Sequence, residues 1–401
     1  MSQRSSRPLE RLAIVGVCTV ALALAWFGEG ARASRVKASR DSASERAAAL
    51  PLPRGQDEGF VGSQRCRACH VDAYASWYAS WHRTMTQAVD PTTVIAAFDG
   101  RRLAHADGEH AVERRGDEFW VLMPEAEALL ARAEGSRADP LPMRWQRVVM
   151  STGAHNMQMY WVATAPGRRL VAFPFAWVVE AQRWVANEDT LLRPHEPNVV
   201  YGWNQVCLKC HAVAGAPAFS DAPGLAEDRV ETEVAELGIA CEACHGPGAA
   251  HVAAQASPLR RYVHHLRGSV DDGIVHPGRL DGHRSAEICG QCHAASLFPD
   301  HQQWLGRGSD YRAGAALADS TRVVRHPLRA DQPWIEAVLD EDPDYLAGRF
   351  WGDGMIRISG RDYNGLIESP CYADEDFSCL SCHEMHGDQP EDQLRALARD
   401  D

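Results

Sequence analysis

Gly238-Ile239-Ala240-Cys241-Glu242-Ala243-Cys244-His245-Gly246-Pro247-Gly248-Ala249-Ala250-His251 is the stretch around which the chain is organised. At its centre is Cys-x-x-Cys-His, in which the two thiols can form thioether bonds to porphyrin vinyl groups while the adjacent histidine is held beneath the iron. Past a Gly-Pro-Gly turn, His251 is placed to begin a helix facing the same or a neighbouring porphyrin. The unit occurs four more times, as Cys66-Arg67-Ala68-Cys69-His70, Cys207-Leu208-Lys209-Cys210-His211, Cys289-Gly290-Gln291-Cys292-His293 and Cys379-Leu380-Ser381-Cys382-His383. Chance placement of 12 Cys and 18 His in 401 residues gives roughly 0.02 copies of such a unit, so composition does not account for five. A zinc knuckle or a dithiol redox pair explains Cys-x-x-Cys but requires no histidine directly after it. The sequence therefore predicts five covalently bound haem c groups, with His70, His211, His245, His293 and His383 as proximal iron ligands.

Ten of the 12 cysteines are used in this way, leaving Cys18 and Cys371, the latter expected to be a buried thiol. Each haem brings a large apolar surface that replaces part of an ordinary core. The formal net charge is -13, with acidic runs at Asp340-Glu341-Asp342-Pro343-Asp344 and Asp374-Glu375-Asp376. That balance disfavours nucleic acid as a partner and favours redox proteins with a basic docking surface.

Taken in order, Arg4, Arg7 and Arg11 precede the apolar run Leu12 to Phe27, followed by Ala31-Arg32-Ala33. Residues 1–33 read as a secretory signal peptide, or alternatively as an uncleaved anchor, the only source of membrane contact. Export to the periplasm, or to the outer face of the cytoplasmic membrane, fits the haems, because bacteria attach haem c outside that membrane. Residues 34–58, rich in Ala, Ser, Arg and Pro, read as a disordered linker.

Residues 59–91 form the first haem segment, with a helix-like run from Val71 to Val89 that carries Trp77, Trp81 and the distal-ligand candidate His82. In residues 92–190 the pattern changes to alternation. Strands are expected at Phe119–Met123, Arg147–Met150, Met157–Val162 and Leu170–Phe173, with turns at Asp107-Gly108, Arg115-Gly116-Asp117 and Ala165-Pro166-Gly167. This is a β-rich insertion between haems 1 and 2, with His155 in a glycine-containing loop. Residues 191–390 are the four-haem region, followed by a tail at 391–401. His283 can ligate from upstream of the fourth motif, with His264, His265 and His276 as rivals. His386 lies too close to His383 to ligate the same iron easily and is expected to reach a neighbouring one. Phe350 to Arg357 reads as strand, turn and strand. The expected fold class is α+β, mostly α and irregular, a pentahaem core wrapped around stacked haems with a small antiparallel β unit inserted.

Several of these segments resemble the multihaem cytochromes c related to the nitrifiers' tetrahaem carrier and to the haem core of hydroxylamine oxidoreductase. The closest likeness is to the cytochrome part of bacterial multihaem proteins that carry tetratricopeptide repeats, here without the repeats. The resemblance is carried by Val61-Gly62-Ser63 with the first motif, Trp77-x-x-Ser80-x-His82, Thr152-Gly153-Ala154-His155-Asn156-Met157-Gln158, Gly238 through His251, the fourth motif, and Asp353-Gly354 through Met385-His386. It implies closely packed bis-histidine haems, with His82, His155, His251 and His386 as distal ligands and, more weakly, His283.

Two functions follow. Thirteen histidines lie outside the motifs, enough to saturate five irons, which points to single-electron transfer. The alternative is a multihaem oxidoreductase in which one open haem acts on a small nitrogen or sulfur compound. No Cys-x-x-Cys-Lys motif, which would favour a nitrite reductase, is present.

Overall fold

A computed structural model describes residues 49–55, 57–133, 141–164, 168–190, 200–219, 230–267, 273–390 and 393–395. The expected signal peptide or anchor lies outside the described residues, as do the start of the linker, the turn at 165–167 and most of the C-terminal tail. No helix among the described residues is long and apolar enough to cross a membrane.

The described end of the linker is ordered, contrary to the expectation of disorder up to residue 58. Leu52–Pro53 pair in parallel with Glu233–Val234, and Arg54 forms an ion pair with Glu58 at 2.8 Å. Helices α1 (Ser63–Arg67), α2 (Val71–Ala79) and α3 (Trp81–Thr84) follow. The single helix expected from Val71 to Val89 is broken at Ser80, whose backbone is extended and whose Oγ donates to the Trp77 carbonyl at 2.7 Å. A serine hydroxyl that competes in this way for helix carbonyls ends a helix readily. The rest of that run becomes strand β1 (Thr86–Ala88).

The β unit contains β1 and eight further strands: β2 (Asp99–His105), β3 (Gly108–Arg115), β4 (Glu118–Pro124), β5 (Met143–Thr152), β6 (Met157–Ala163), β7 (Leu170–Ala172), β8 (Phe175–Val178) and β9 (Arg183–Ala186). The sheet order is β9-β8-β6-β5-β4-β3-β2, with β1 on β5 and β7 on β6. Every pairing is antiparallel. Period-two alternation sets the faces: Phe119, Val121 and Met123 of β4 turn inward and join Val112, Tyr160, Phe173, Phe175, Trp177 and Trp184 in one core. Helix α4 (Ala126–Ala133) and the short α5 (Asn187–Thr190) complete this part. The expected strands are present, though the β2–β3 hairpin and β8–β9 lay beyond the strand readings. At Phe350 and Ile356 there is only an isolated antiparallel bridge.

The motif-bearing segments hold smaller apolar clusters, such as Phe60, Tyr74, Trp77, Val213 and Ala240. A π-helical turn at Trp203–Cys207 leads into α6 (Leu208–His211). Next come α7 (Cys241–His245), α8 (Ala249–Gln255), α9 (Pro258–Arg267) and α10 (Gly282–His293). The last helices are α11 (His301–Arg307), α12 (Ile335–Glu341) and α13 (Asp362–Glu368).

A buried polar network ties the β unit to the loop before it. Tyr160 donates through its hydroxyl to Gln158 Oε1, Ala96 N–H donates to the Tyr160 oxygen at 3.2 Å, and Ile95 N–H donates to Gln158 Oε1 at 3.0 Å. Gln158 Nε2 donates in turn to the Thr93 carbonyl at 2.9 Å. Replacing Tyr160 with Phe leaves the Ala96 N–H without its acceptor. Chemical denaturation of the variant should show a loss of about 1–3 kcal/mol; an unchanged midpoint would mean that water replaces the hydroxyl without penalty.

Candidate multihaem centre

The five motifs are far apart in sequence, and the fold brings their thiols together in a connected series. Cys66 of the first motif lies beside Cys241 of the third. Cys210 of the second contacts Cys292 of the fourth, whose carbonyl lies 3.7 Å from its sulfur. Cys289 of the fourth meets Cys379 of the fifth. Gln291 Nε2, within the fourth motif, donates to the Ala243 carbonyl of the third at 3.0 Å. Motif 3 thus joins 1 to 4, and motif 4 joins 2 and 5. Cys371, expected to be buried, is exposed in the turn before the fifth motif.

The first motif is anchored by two carboxylates, Glu236 ahead of the third motif and Glu242 within it. Helix α1 begins after Gly62 with no side-chain cap of its own, so its first N–H groups need acceptors. Ser63 N–H donates to Glu236 Oε2 at 2.8 Å, and the Ser63 hydroxyl contacts the same carboxylate. Glu242, inside the third motif and 4% exposed, accepts from Gly62 N–H at 2.8 Å, from Val61 N–H at 3.0 Å and from Gly248 N–H at 2.7 Å. One carboxylate therefore fixes the approach to His70 and the turn before His251.

The histidines fall into facing pairs. His70 and His251 have ring centroids 6.0 Å apart with planes 28° from parallel. His245 faces His386 at 6.2 Å and 17°, and His293 faces His82 at 6.4 Å and 74°. In each pair one partner follows a Cys-x-x-Cys and the other comes from a distant segment. Two imidazoles bound in trans to one metal, each about 2 Å from it, hold their centroids about 6 Å apart, so these separations fit an iron between the rings. His386, expected to reach an iron other than that of His383, has its ring opposite His245.

The remaining ring nitrogens are also consistent with this chemistry. His245 Nδ1 lies 2.8 Å from the Val275 carbonyl, His211 Nδ1 3.4 Å from the Met85 carbonyl, and His293 Nδ1 3.5 Å from Asp362 Oδ2. A partner on Nδ1 fixes the tautomer that leaves Nε2 for a metal. Burial pushes His82, His245 and His386 below the usual imidazole range and His211 down to about 4, which keeps these rings neutral and able to donate a lone pair.

Two candidates are placed differently. His155 lies flat on Trp81, centroids 4.9 Å apart, in a loop where Gly153 has φ 88 and a Cβ would stand 2.3 Å from the Met157 carbonyl. His283 stacks on Tyr372 at 4.1 Å, with its Nε2 on the Tyr372 carbonyl at 2.8 Å. Among the described residues, neither faces a motif imidazole, and neither His211 nor His383 has an imidazole opposite. His276, a rival candidate, lies beside the His245–His386 pair.

Position 238 joins two of these arrangements. Gly238 has φ 76, and a Cβ there would stand 2.4 Å from the Arg83 carbonyl; the next residue, Ile239, donates its N–H to the His82 carbonyl at 3.0 Å. The glycine allows the third-motif segment to lie directly against the turn that presents His82. Glu236, Glu242 and Asp362 carry no spacing signal of their own, and sequence reasoning did not find them.

Residues 181–246, which include the second and third motifs, match the family model described as Cytochrome c554 and c-prime. The solved structure of the outer cell wall cytochrome OcwA is similar at 18% identity and a TM-score of 0.46, over 81% of this chain. The chain spans 56% of that protein's chain. No curated protein matches.

Glu242→Ala removes the shared acceptor of three backbone N–H groups. A loss of at least about 3 kcal/mol in thermal unfolding is expected, together with weakened haem incorporation at the first motif. Wild-type stability in this variant would show that water serves the N–H groups equally well.

Proposed function

We propose that this chain is an exported multihaem cytochrome c that carries five covalently attached haems and passes single electrons between redox partners. The observation that carries the reading is the set of three facing imidazole pairs, His70–His251, His245–His386 and His293–His82. The five attachment motifs and the family-model match over residues 181–246 support it.

Bound haem supplies the one-electron iron couple, with its potential set by axial ligands, burial and nearby charge. The chain's residues do the rest. Cys66 and Cys69, with the corresponding pairs Cys207 and Cys210, Cys241 and Cys244, Cys289 and Cys292, and Cys379 and Cys382, hold the porphyrins as thioethers. His70, His211, His245, His293 and His383, each next to its second motif cysteine, would ligate the irons. His251, His386 and His82, opposite His70, His245 and His293, would hold three of the irons from a second side and so exclude small molecules there. The closeness of the motif cysteines, Cys66 to Cys241, Cys210 to Cys292 and Cys289 to Cys379, would set the attached porphyrins near one another, which suits electron transfer from one to the next. The formal charge of -13 favours partners with a basic docking face.

A second reading rests on His211 and His383, which face no imidazole among the described residues. Either haem could keep an open position, and the chain would then act as an oxidoreductase on a small nitrogen or sulfur compound.

Exogenous ligands separate the two. The first reading requires the haems of His211 and His383 to be closed as well, so cyanide, nitrite and hydroxylamine should leave the spectrum of the haem-loaded protein unchanged, while His251→Ala should make one haem high-spin and ligand-binding. A wild-type haem that binds these ligands stoichiometrically would replace electron transfer with catalysis. A His251→Ala spectrum identical to wild type would remove His251 from the ligand set.

A further inference from the structure

The β2–β3 hairpin carries a cluster that the haem motifs do not use, in Ala104-His105-Ala106-Asp107-Gly108-Glu109-His110. The tight turn pairs His105 with Gly108 and Leu103 with His110. As a result His105, Asp107 and His110 each present one donor atom, all within 4.8 Å of one another. Asp107 Oδ1 lies 2.8 Å from His110 Nε2 and also contacts His105 Nδ1, so one carboxylate oxygen faces two imidazole nitrogens. On the other side of the His105 ring, Nε2 is 2.9 Å from Glu188 Oε1, which comes from α5.

We propose that this cluster binds a divalent transition cation of the zinc class, through His105 Nδ1, Asp107 Oδ1 and His110 Nε2, with Glu188 orienting His105 from behind. Two imidazoles and a carboxylate are the donor set of zinc sites that keep a fourth position for water. A carboxylate on the non-ligating nitrogen of a ligating histidine fixes its tautomer and orientation. With imidazole supplying two of three donors, calcium and magnesium are disfavoured.

The surroundings point the same way. His110 is fully buried, with its ring 5.9 Å from Phe173 and 5.5 Å from Phe175, and its Nδ1 has no hydrogen-bond partner. A polar ring in that aromatic setting is costly unless its other nitrogen is strongly held, and coordination holds it more firmly than one hydrogen bond. Asp107 retains 23% exposure, which gives an ion a route from solvent. Opening the contacts to the spacing of about 3.3 Å between tetrahedral ligands requires small side-chain adjustments only.

The test uses the haem-loaded full chain dialysed against micromolar zinc, with zinc and iron measured together. Wild type should retain one zinc per chain, and Asp107→Asn and His105→Ala should lose it with iron content and Soret spectrum unchanged. Glu188→Gln should weaken zinc affinity about 10–100-fold. Because a buried substitution such as His110→Ala can fail to fold, thermal unfolding provides a second readout: zinc should raise the midpoint of wild type but not of Asp107→Asn. Absence of retained zinc in wild type, or equal retention in Asp107→Asn and His105→Ala, overturns the site.

Discussion

A buried carboxylate, Glu242, anchors one end of the multihaem centre. A charge taken out of water is destabilising unless its lone pairs are filled, and Glu242 is filled by N–H groups from Val61, Gly62 and Gly248. Those donors sit at the start of the first motif and ahead of α8, the helix that carries His251. Satisfying one side chain therefore places His70 opposite His251. The same logic recurs with weaker groups where Trp77 Nε1 donates to the Ile239 carbonyl and Ser76 Oγ to the Gly387 carbonyl. These contacts tie the helix after the first motif to the third and fifth.

The β unit is held by a different force. Its large aromatic core, with Phe119, Tyr160, Phe173, Phe175, Trp177 and Trp184, needs no cofactor to bury apolar surface. Among the described residues, the motif segments hold smaller apolar clusters, such as those around Trp77 and around Tyr363. They should depend on haem for compaction, which fits the proposal that cofactor attachment completes their folding.

What the sequence made legible follows from the range of the interactions. Attachment motifs and alternating strands are local patterns, so the five motifs and strands such as Phe119–Met123, which extends to Glu118–Pro124 in the structure, could be read directly. The helix break at Ser80 could not, because a serine inside an apolar run is neutral until its hydroxyl finds the Trp77 carbonyl. Distal ligands are harder still. The ring opposite His293 is that of His82, from a segment far earlier in the chain, and no spacing rule connects them. His155, a distal-ligand candidate through the family resemblance, lies on the face of Trp81. The hairpin pair His105 and His110 was visible only as a turn, because the significance of Asp107 depends on strand register.

The central claim is that imidazoles from distant segments clamp irons between them, and low-temperature electron paramagnetic resonance of the oxidised protein tests it most directly. Nearly parallel rings, as in His70–His251 and His245–His386, split the iron orbitals and give rhombic low-spin signals. Nearly perpendicular rings, as in His293–His82, leave those orbitals close in energy and give a strongly anisotropic signal. The account predicts two rhombic low-spin haems and one strongly anisotropic one. A spectrum dominated by high-spin iron, with no low-spin bis-imidazole signals, would contradict it.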